Sequence, residues 1–209
     1  TSELGKKSST RALAALEPSF EGGFNIQEVK DKSGRNLKYM INKTMMRIDL
    51  PKTLKAGDKT SFSIKWWYNI NNTREIGGRS GYEHFKEDGN NVYCIAQFFP
   101  RLCKYTDQDG WQNKQFLGRG EFTLEFGDYD VEITVPSDHL VAATGILQNE
   151  SAVLTETQKK RLQEARKSFV NTVVIATKDE ADDRMKGKSG NTKTWKFHAD
   201  QVRDFAFAT

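Results

Sequence analysis

Apolar and polar residues alternate through most of this chain, at the period-two spacing that is typical of half-buried β-strands. The alternation is cleanest near the C-terminal end, where Trp195, Phe197 and Ala199 are separated by polar residues. The same pattern predicts strands around residues 37–41, 46–50, 62–68, 140–145 and 173–175, with a further apolar run at 92–102. These segments favour an all-β fold, a sandwich of antiparallel sheets with one helical excursion.

The strongest local signal extends from Gly120 to Pro136. Two alternating segments, 122–126 and 131–135, flank the turn pair Gly127-Asp128. Alternating strands around such a pair are typical of a β-hairpin with one buried face. The sequence therefore predicts that these two segments pair with each other.

Only one helix is supported by the pattern. Thr155 and Gln158 have the spacing of a capping box, and good helix formers follow them. The helix is predicted at about 156–168, with 179–190 as a charged turn. Residues 71–91, rich in Gly and Asn, are expected to be a mobile or functional loop. We expect residues 1–12 to be a flexible start and 13–209 to be a single β domain.

The final segment continues with Phe205 and Phe207, and no polar tail closes it. An apolar end of this kind predicts a domain cut from a larger protein. We expect both phenylalanines to pack against the missing part. In the chain by itself they are expected to be exposed, frayed or buried against another copy.

Composition narrows the functional classes. The 209 residues carry 29% charged and 36% hydrophobic side chains and a net charge of +4, which fits a soluble globular protein. The closest approach to a basic stripe, residues 158–167, is interpreted as the solvated face of the predicted helix, so we expect no nucleic-acid partner. No apolar run approaches the roughly 20 residues of a membrane helix, so no transmembrane segment is predicted.

The residue types that bind metals are sparse. His84, His139 and His198 are far apart in the sequence and are interpreted as isolated surface residues, so no metal site is predicted in this chain. Cys94 and Cys103 are too few for a disulfide scaffold or a structural zinc site. Buried free thiols and a bridge between neighbouring strands both remain open for them.

One segment places a polar amide in an apolar strand. Gln97 is followed by Phe98 and Phe99, and a strand-end amide offers both a donor and an acceptor to a ligand. The two phenylalanines would form an apolar wall beside it. The alternative is that Gln97 satisfies nearby backbone groups. Four further aromatic residues are open to either sugar binding or core packing: Trp66, Trp67, Tyr82 and Trp111.

Several short motifs occur together in a fixed order, and the final strand from Trp195 to Ala206 follows them. They are residues 96–101 (AQFFPR), 118–122 (GRGEF), 130–136 (DVEITVP) and 141–145 (VAATG). In this order they resemble the N-terminal domain of aminopeptidase N-like zinc metallopeptidases, the gluzincin aminopeptidases. The Gln-Phe-Phe-Pro form and the helical excursion are most similar to the large bacterial members of Bacteroidetes type.

The resemblance implies a saddle-like β-sandwich and a catalytic domain that begins at or just beyond Thr209. Zinc would belong to that catalytic domain and not to this chain. In the family, the glutamine that matches Gln97 reaches into the peptide-substrate cleft. An acidic residue often stands two positions later, where this chain has Phe99. The parent is therefore either an aminopeptidase with a modified first pocket or a degenerate member.

The resulting hypothesis is a non-catalytic domain of a zinc-dependent aminopeptidase that helps to form the peptide-substrate cleft. Gln97, Phe98 and Phe99 would contact the substrate, and the domain's partner would be its own catalytic domain. The alternative is a free-standing β-sandwich module that binds carbohydrate or protein. The resemblance to exported bacterial enzymes implies a periplasmic or secreted location.

Overall fold

The computed structural model describes residues 20–115, 123–186 and 190–209. Strands account for 39% of the structure and helices for 15%, and the strands form several antiparallel sheets. The expected all-β class is therefore confirmed. The predicted flexible start, residues 1–12, lies outside the described residues, as does the motif at 118–122.

Thirteen strands and four helices are described. The strands are β1 Asn25–Asp31, β2 Lys38–Asn42, β3 Met45–Asp49, β4 Phe62–Trp67, β5 Gly81–Phe85, β6 Asn90–Ala96, β7 Tyr105–Thr106, β8 Gly110–Trp111, β9 Gly127–Pro136, β10 Ala142–Ala143, β11 Ile146–Leu147, β12 Thr192–Val202 and β13 Ala206–Ala208. The helices are α1 Thr73–Ile76, α2 Glu150–Val153, α3 Glu156–Ala165 and α4 Lys178–Lys186.

The chain divides into two compact units. Among the described residues, the first consists of 20–84, 101–115 and 123–124, and the second of 85–100, 125–186 and 190–209. In the first unit, three antiparallel pairs form: β1 with β4, β2 with β3, and β7 with β8. The buried apolar side chains described there are Val29 and Leu37.

The predicted loop at 71–91 is largely ordered. Asn72 caps α1, because its side-chain oxygen accepts a hydrogen bond from the backbone N–H of Arg74 at 3.0 Å. The carbonyl of Asn71 accepts a hydrogen bond from the N–H of Tyr82 at 2.8 Å. Residues 71–91 therefore contain a helical turn and two strand segments instead of one long irregular connection.

The second unit contains a three-stranded sheet in the order β11-β12-β9. On its inner face, Trp195 lies opposite Ile133 and Phe197 opposite Val131. Directly opposed residues of an antiparallel pair point to the same side, so these residues share one apolar face. The core cluster of this unit is Ile133, Val141, Val153, Trp195, Phe197, Ala199 and Phe205.

The outer face of the same sheet is polar. Thr134 and Thr194 face each other with their hydroxyl oxygens 2.8 Å apart, and Lys196 forms an ion pair with Glu132 at 2.6 Å. This is the alternation that the sequence predicts for 131–135 and for the last long strand, and the structure confirms it.

A second sheet of this unit places β13 between β10 and β6. Phe205, just before β13, is fully buried, and Phe207 is partly buried against the core cluster. The expectation that both are exposed or frayed in the chain by itself is therefore wrong. Their own sheet and the neighbouring core cover them.

The prediction that residues 120–136 form a β-hairpin is wrong. Residues 116–122 lie outside the described part, but Gly127-Asp128 opens strand β9 instead of forming a turn. Strand β9 pairs with β12, and Leu124 forms an isolated bridge with Cys103. The boundary between the two units falls between Leu124 and Glu125, in the segment that the prediction treats as one hairpin.

The helical region is larger than expected. The capping box of Thr155 and Gln158 is confirmed, and α3 covers Glu156–Ala165. The strand predicted at 173–175 is irregular, and the turn predicted at 179–190 is mostly helix α4. Thr177 starts α4, because its hydroxyl accepts from the N–H of Glu180 while the Glu180 carboxylate accepts from the N–H of Thr177.

Candidate functional site

The Gln97 segment begins where strand β6 ends. Ile95 on β6 is buried and lies opposite Phe207, and Ala96 lies opposite Ala206. Pairing with β13 therefore continues to the residue before Gln97. The backbone position of Gln97 is fixed on its N-terminal side by a sheet in the core of the second unit.

Gln97 itself leaves the strand in a left-handed conformation, with φ of 54°. A non-glycine residue in this region costs about 1 kcal/mol, because its Cβ approaches the following carbonyl. Its side chain is exposed, and within the described residues no hydrogen bond involves its amide. The alternative in which Gln97 satisfies nearby backbone groups therefore finds no support in this part of the chain.

Phe98 and Phe99 anchor the segment on its other side. Their rings are 5.0 Å apart in an edge-to-face arrangement, and the ring of Phe98 lies 5.3 Å from that of Phe207. Phe99 packs edge-to-face on Tyr129 at 5.8 Å. Both phenylalanines are half-buried and contact the core cluster, so much of each ring serves packing and only part could face a ligand.

The predicted site residues are therefore adjacent but differ in role. The two phenylalanines hold the chain, and Gln97 presents a free amide to solvent between them and β6. A polar side chain held in a strained conformation by packed neighbours is preorganised, because few rotations remain available to the backbone that carries it. Such an arrangement can donate to and accept from one polar ligand group.

A second polar cluster surrounds His198 on the outer face of β12. Its Nδ1 lies 2.7 Å from Oδ1 of Asp130 on β9, and its Nε2 lies 2.8 Å from Oδ1 of Asp200. Hydrogen bonds to Asp130 and then to Asp200 raise the pKa of His198 above its ordinary value of 6.5. The imidazole is one-third exposed, whereas both carboxylates are largely exposed.

Asp128 extends this cluster toward the end of β12. Its carboxylate accepts hydrogen bonds from the backbone N–H of Gln201 at 2.9 Å and from the Gln201 side chain at 3.1 Å. These bonds, with a smaller contribution from the charge of His198, lower the pKa of Asp128. Gln201, like Gln97, has a left-handed backbone, with φ of 50°.

The chemistry of this cluster is limited by its geometry. In the protonated imidazolium, which the raised pKa of His198 favours, each ring nitrogen donates a hydrogen bond to one carboxylate, so neither nitrogen has a lone pair to offer. No group of three or more metal-ligating side chains occurs in the described ranges. The cluster is a set of charged hydrogen bonds on the sheet surface, and the bond between His198 and Asp130 joins the paired strands β12 and β9. His198 is therefore not the isolated histidine that its sequence position indicates.

The other candidate residues are dispersed. Cys94 and Cys103 are both free thiols. Cys103 is half-buried, but Cys94 is exposed, so the prediction of a buried thiol is wrong for Cys94. Trp67 and Trp111 in the first unit are about half exposed. Trp111 lies opposite Tyr105 across the β7–β8 pair, with the ring centroids 5.4 Å apart.

This chain was compared with family models, curated proteins and solved structures. No family model, no curated protein and no solved structure matches this chain. Among the described residues, no helix is both long enough and apolar enough to span a membrane.

Proposed function

We propose that this chain is a non-catalytic domain of a zinc-dependent aminopeptidase, in which Gln97 contacts the peptide substrate. The proposal rests on the ordered motifs, which resemble those of the N-terminal domain of aminopeptidase N-like enzymes. It includes the proposal that the antiparallel sheets form the saddle-like sandwich of that family. The single structural observation that supports it is the exposed amide of Gln97, which has no described hydrogen bond and is held at a strand end by packed neighbours.

The physical role follows from that placement. An amide carbonyl held beside a substrate cleft can accept a hydrogen bond from the amino terminus of a peptide, which would orient the first peptide bond for metal-assisted hydrolysis. Zinc and the hydrolytic groups would come from a catalytic domain joined to this chain. Within this chain, Gln97 would position the substrate, and Phe98 and Phe99 would hold Gln97 and border the first pocket.

The experiment uses the longer polypeptide that carries this chain together with the zinc domain. Replacing Gln97→Ala is expected to lower kcat/KM on short peptides by roughly tenfold or more, the effect of losing a hydrogen bond to a charged group. Gln97→Gly should lower activity equally while relieving the left-handed strain. An unchanged kcat/KM in both variants would remove Gln97 from the site.

Gln201→Ala is the matched control, because it is also an exposed glutamine with positive φ in the same unit. It should leave kcat/KM unchanged. The chain by itself should neither hydrolyse peptides nor bind stoichiometric zinc. One tightly bound zinc per chain, together with hydrolysis by the chain alone, would contradict the proposed division of labour.

A second candidate function is supported by the exposed ring pair of Tyr105 and Trp111. Exposed aromatic faces next to polar side chains are typical of sugar-binding surfaces, and each ring here is just over half exposed. In this reading the chain is a binding module for carbohydrate. Trp67 is a further exposed aromatic residue of the same unit.

The two functions are separated by a thermal-shift experiment. A carbohydrate module predicts that a soluble oligosaccharide raises the melting temperature and that Trp111→Ala removes the rise. Trp67→Ala then tests whether the second exposed indole belongs to the same site. A melting temperature that does not change across a panel of oligosaccharides would exclude the carbohydrate module.

A further inference from the structure

Strand β12 contains a β-bulge near its C-terminal end. Its pairing with β9 is regular up to Ala199 and resumes at Val202. Asp200 and Gln201 therefore both lie opposite one residue of β9, Asp128. A bulge of this kind bends the strand that carries it. Here the bulge precedes the turn that leads from β12 into β13.

The bulge is strained and is held by side chains. Gln201 has a left-handed backbone with φ of 50°, which costs about 1 kcal/mol in a non-glycine residue. The carboxylate of Asp128 opposes this cost, because it accepts from the backbone N–H of Gln201 at 2.9 Å. After the bulge, the carboxylate of Asp204 accepts from the N–H of Phe205 at 2.9 Å, and the side chain of Phe205 is fully buried. The bent segment therefore brings Phe205 into the core.

The imidazole of His198 holds the first residue of the bulge. Its Nε2 lies 2.8 Å from Oδ1 of Asp200, while its Nδ1 lies 2.7 Å from Oδ1 of Asp130 on β9. A protonated ring can donate to both carboxylates, but a neutral ring carries a single N–H and can donate to one of them. Loss of the proton therefore removes a hydrogen bond at the bulge or across the two strands.

The other charges on this face come from β9 and β12. They are Asp128, Asp130 and Glu132 on β9, and Lys196 and Asp200 on β12. Lys196 is paired with Glu132 at 2.6 Å. The imidazolium of His198 is therefore the cation that faces the three aspartates among these groups. When the ring becomes neutral, the repulsion between the three carboxylates is no longer compensated.

The remaining neighbours of β12 do not supply a replacement charge. Strand β11, Ile146–Leu147, has no titratable side chain. Helix α2 also contacts β12, and its Glu150 is paired with Arg166 at 2.6 Å. Beyond the bulge, the guanidinium of Arg203 lies over the ring of Phe126, 4.6 Å from its centroid.

We infer that the bulge is a pH-sensitive switch, in which protonated His198 keeps residues 200–205 closed and its neutral form lets this segment open locally. The raised pKa of His198 puts the change above pH 6.5, so the segment is closed below that pH and loosens as the pH rises. The effect is modest, because both carboxylates that bind the ring are largely exposed. The inference is independent of the Gln97 proposal, since it concerns another segment.

Amide hydrogen exchange measured by NMR on the whole chain tests the inference. After correction for the intrinsic exchange rates, protection of the Gln201 and Phe205 amides should fall about threefold to fivefold from about pH 5.5 to about pH 8.5. Protection of the Trp195 amide, in the middle of β12, should not change. Asp128 keeps its charge over this range, because its bonds to Gln201 lower its pKa.

Two variants remove the switch and one is the control. His198→Gln should give the lower protection at both pH values, and Asp200→Asn should reduce the pH dependence. Lys196→Gln is the matched control, because it removes the neighbouring cation of the same strand, which is bound to Glu132 and not to the aspartates. It should keep the full pH dependence. Protection that does not change with pH, a pH dependence that persists in His198→Gln, or an equal loss at Trp195 would overturn the inference.

Discussion

Nδ1 of His198 lies 2.7 Å from Oδ1 of Asp130, across the paired strands β12 and β9. Because Nε2 of the same ring lies 2.8 Å from Asp200, the protonated imidazole can donate to two carboxylates at once. The pair is a cross-strand contact on the outer face of the main sheet of the second unit. It makes the stability of that sheet depend on the charge of one histidine.

The pH dependence follows from the raised pKa of His198. In the folded chain the imidazolium is favoured, so its contribution to the free energy of unfolding is full below its ordinary pKa of 6.5 and is lost as the pH rises through the higher folded pKa. The stability difference between the unaltered chain and His198→Gln should therefore be largest below pH 6.5 and shrink as the pH rises above it. Urea unfolding on both sides of this pH measures it.

The carboxylates provide the control for that prediction. Asp130→Asn and Asp200→Asn should each lower the pKa of His198, which NMR titration of the imidazole detects. The larger decrease is expected for Asp130, whose hydrogen bond is the largest cause of the raised pKa. If the pKa of His198 stays raised in the variant that lacks both carboxylates, the two aspartates are not the cause of the shift.

Gly145 is predicted to be intolerant of a side chain. Its φ is +88°, and a Cβ there would collide with the carbonyl oxygen of His198 and the Cβ of Ala199. Gly145→Ala should therefore lower the free energy of unfolding by about 2 kcal/mol. Gly127→Ala is the control, since a Cβ at Gly127 meets nothing within 4 Å, and its effect should stay within about 0.5 kcal/mol. Denaturant titration compares the two, and equal effects would refute the close approach.

Phe205 should be one of the most costly truncations in the chain. Its side chain is fully buried, with the ring of Tyr129 6.2 Å away. Phe205→Ala is expected to cost about 3–5 kcal/mol, because burial is lost and a cavity remains. Phe169→Ala makes the same chemical change at a site that is 95% exposed and should be nearly neutral. Circular dichroism during urea unfolding distinguishes them, and a neutral Phe205→Ala would show that the residue is not in the core.

The start of α4 gives a local prediction. Removing the Thr177 hydroxyl with Thr177→Ala deletes one half of a capping box and should cost about 1 kcal/mol. Amide hydrogen exchange should accelerate through Lys178–Lys186. The exposed Thr172, outside both helices, provides the control, and its change to Ala should leave exchange in α4 unaltered. Faster exchange in both variants would indicate a general loosening instead of a lost cap.

The candidate site was predictable only in part. Gln97 is conspicuous in the sequence, because an amide interrupts an apolar strand, but its positive φ and unsatisfied side chain depend on how β6 ends. The packing of Phe98 on Phe207 joins residues about a hundred positions apart. The cluster at His198 has no local signal for the same reason, because Asp130 reaches it only through strand pairing.

The sequence by itself determined what local physics controls. Alternation sets the faces of β9 and β12, so Ile133 and Trp195 are buried as predicted, and the hydrogen bonds of Thr155 and Gln158 start α3 without help from distant residues. The capping box of Thr177 and Glu180 is also local, so the sequence contains its signal. The acidic residues that follow Thr177 favoured the prediction of a turn instead. Tertiary structure decided which strands pair. Period two specifies the face of a strand but not its partner. The partner of β9 is the distant strand β12, and the fold of the second unit buries Phe205.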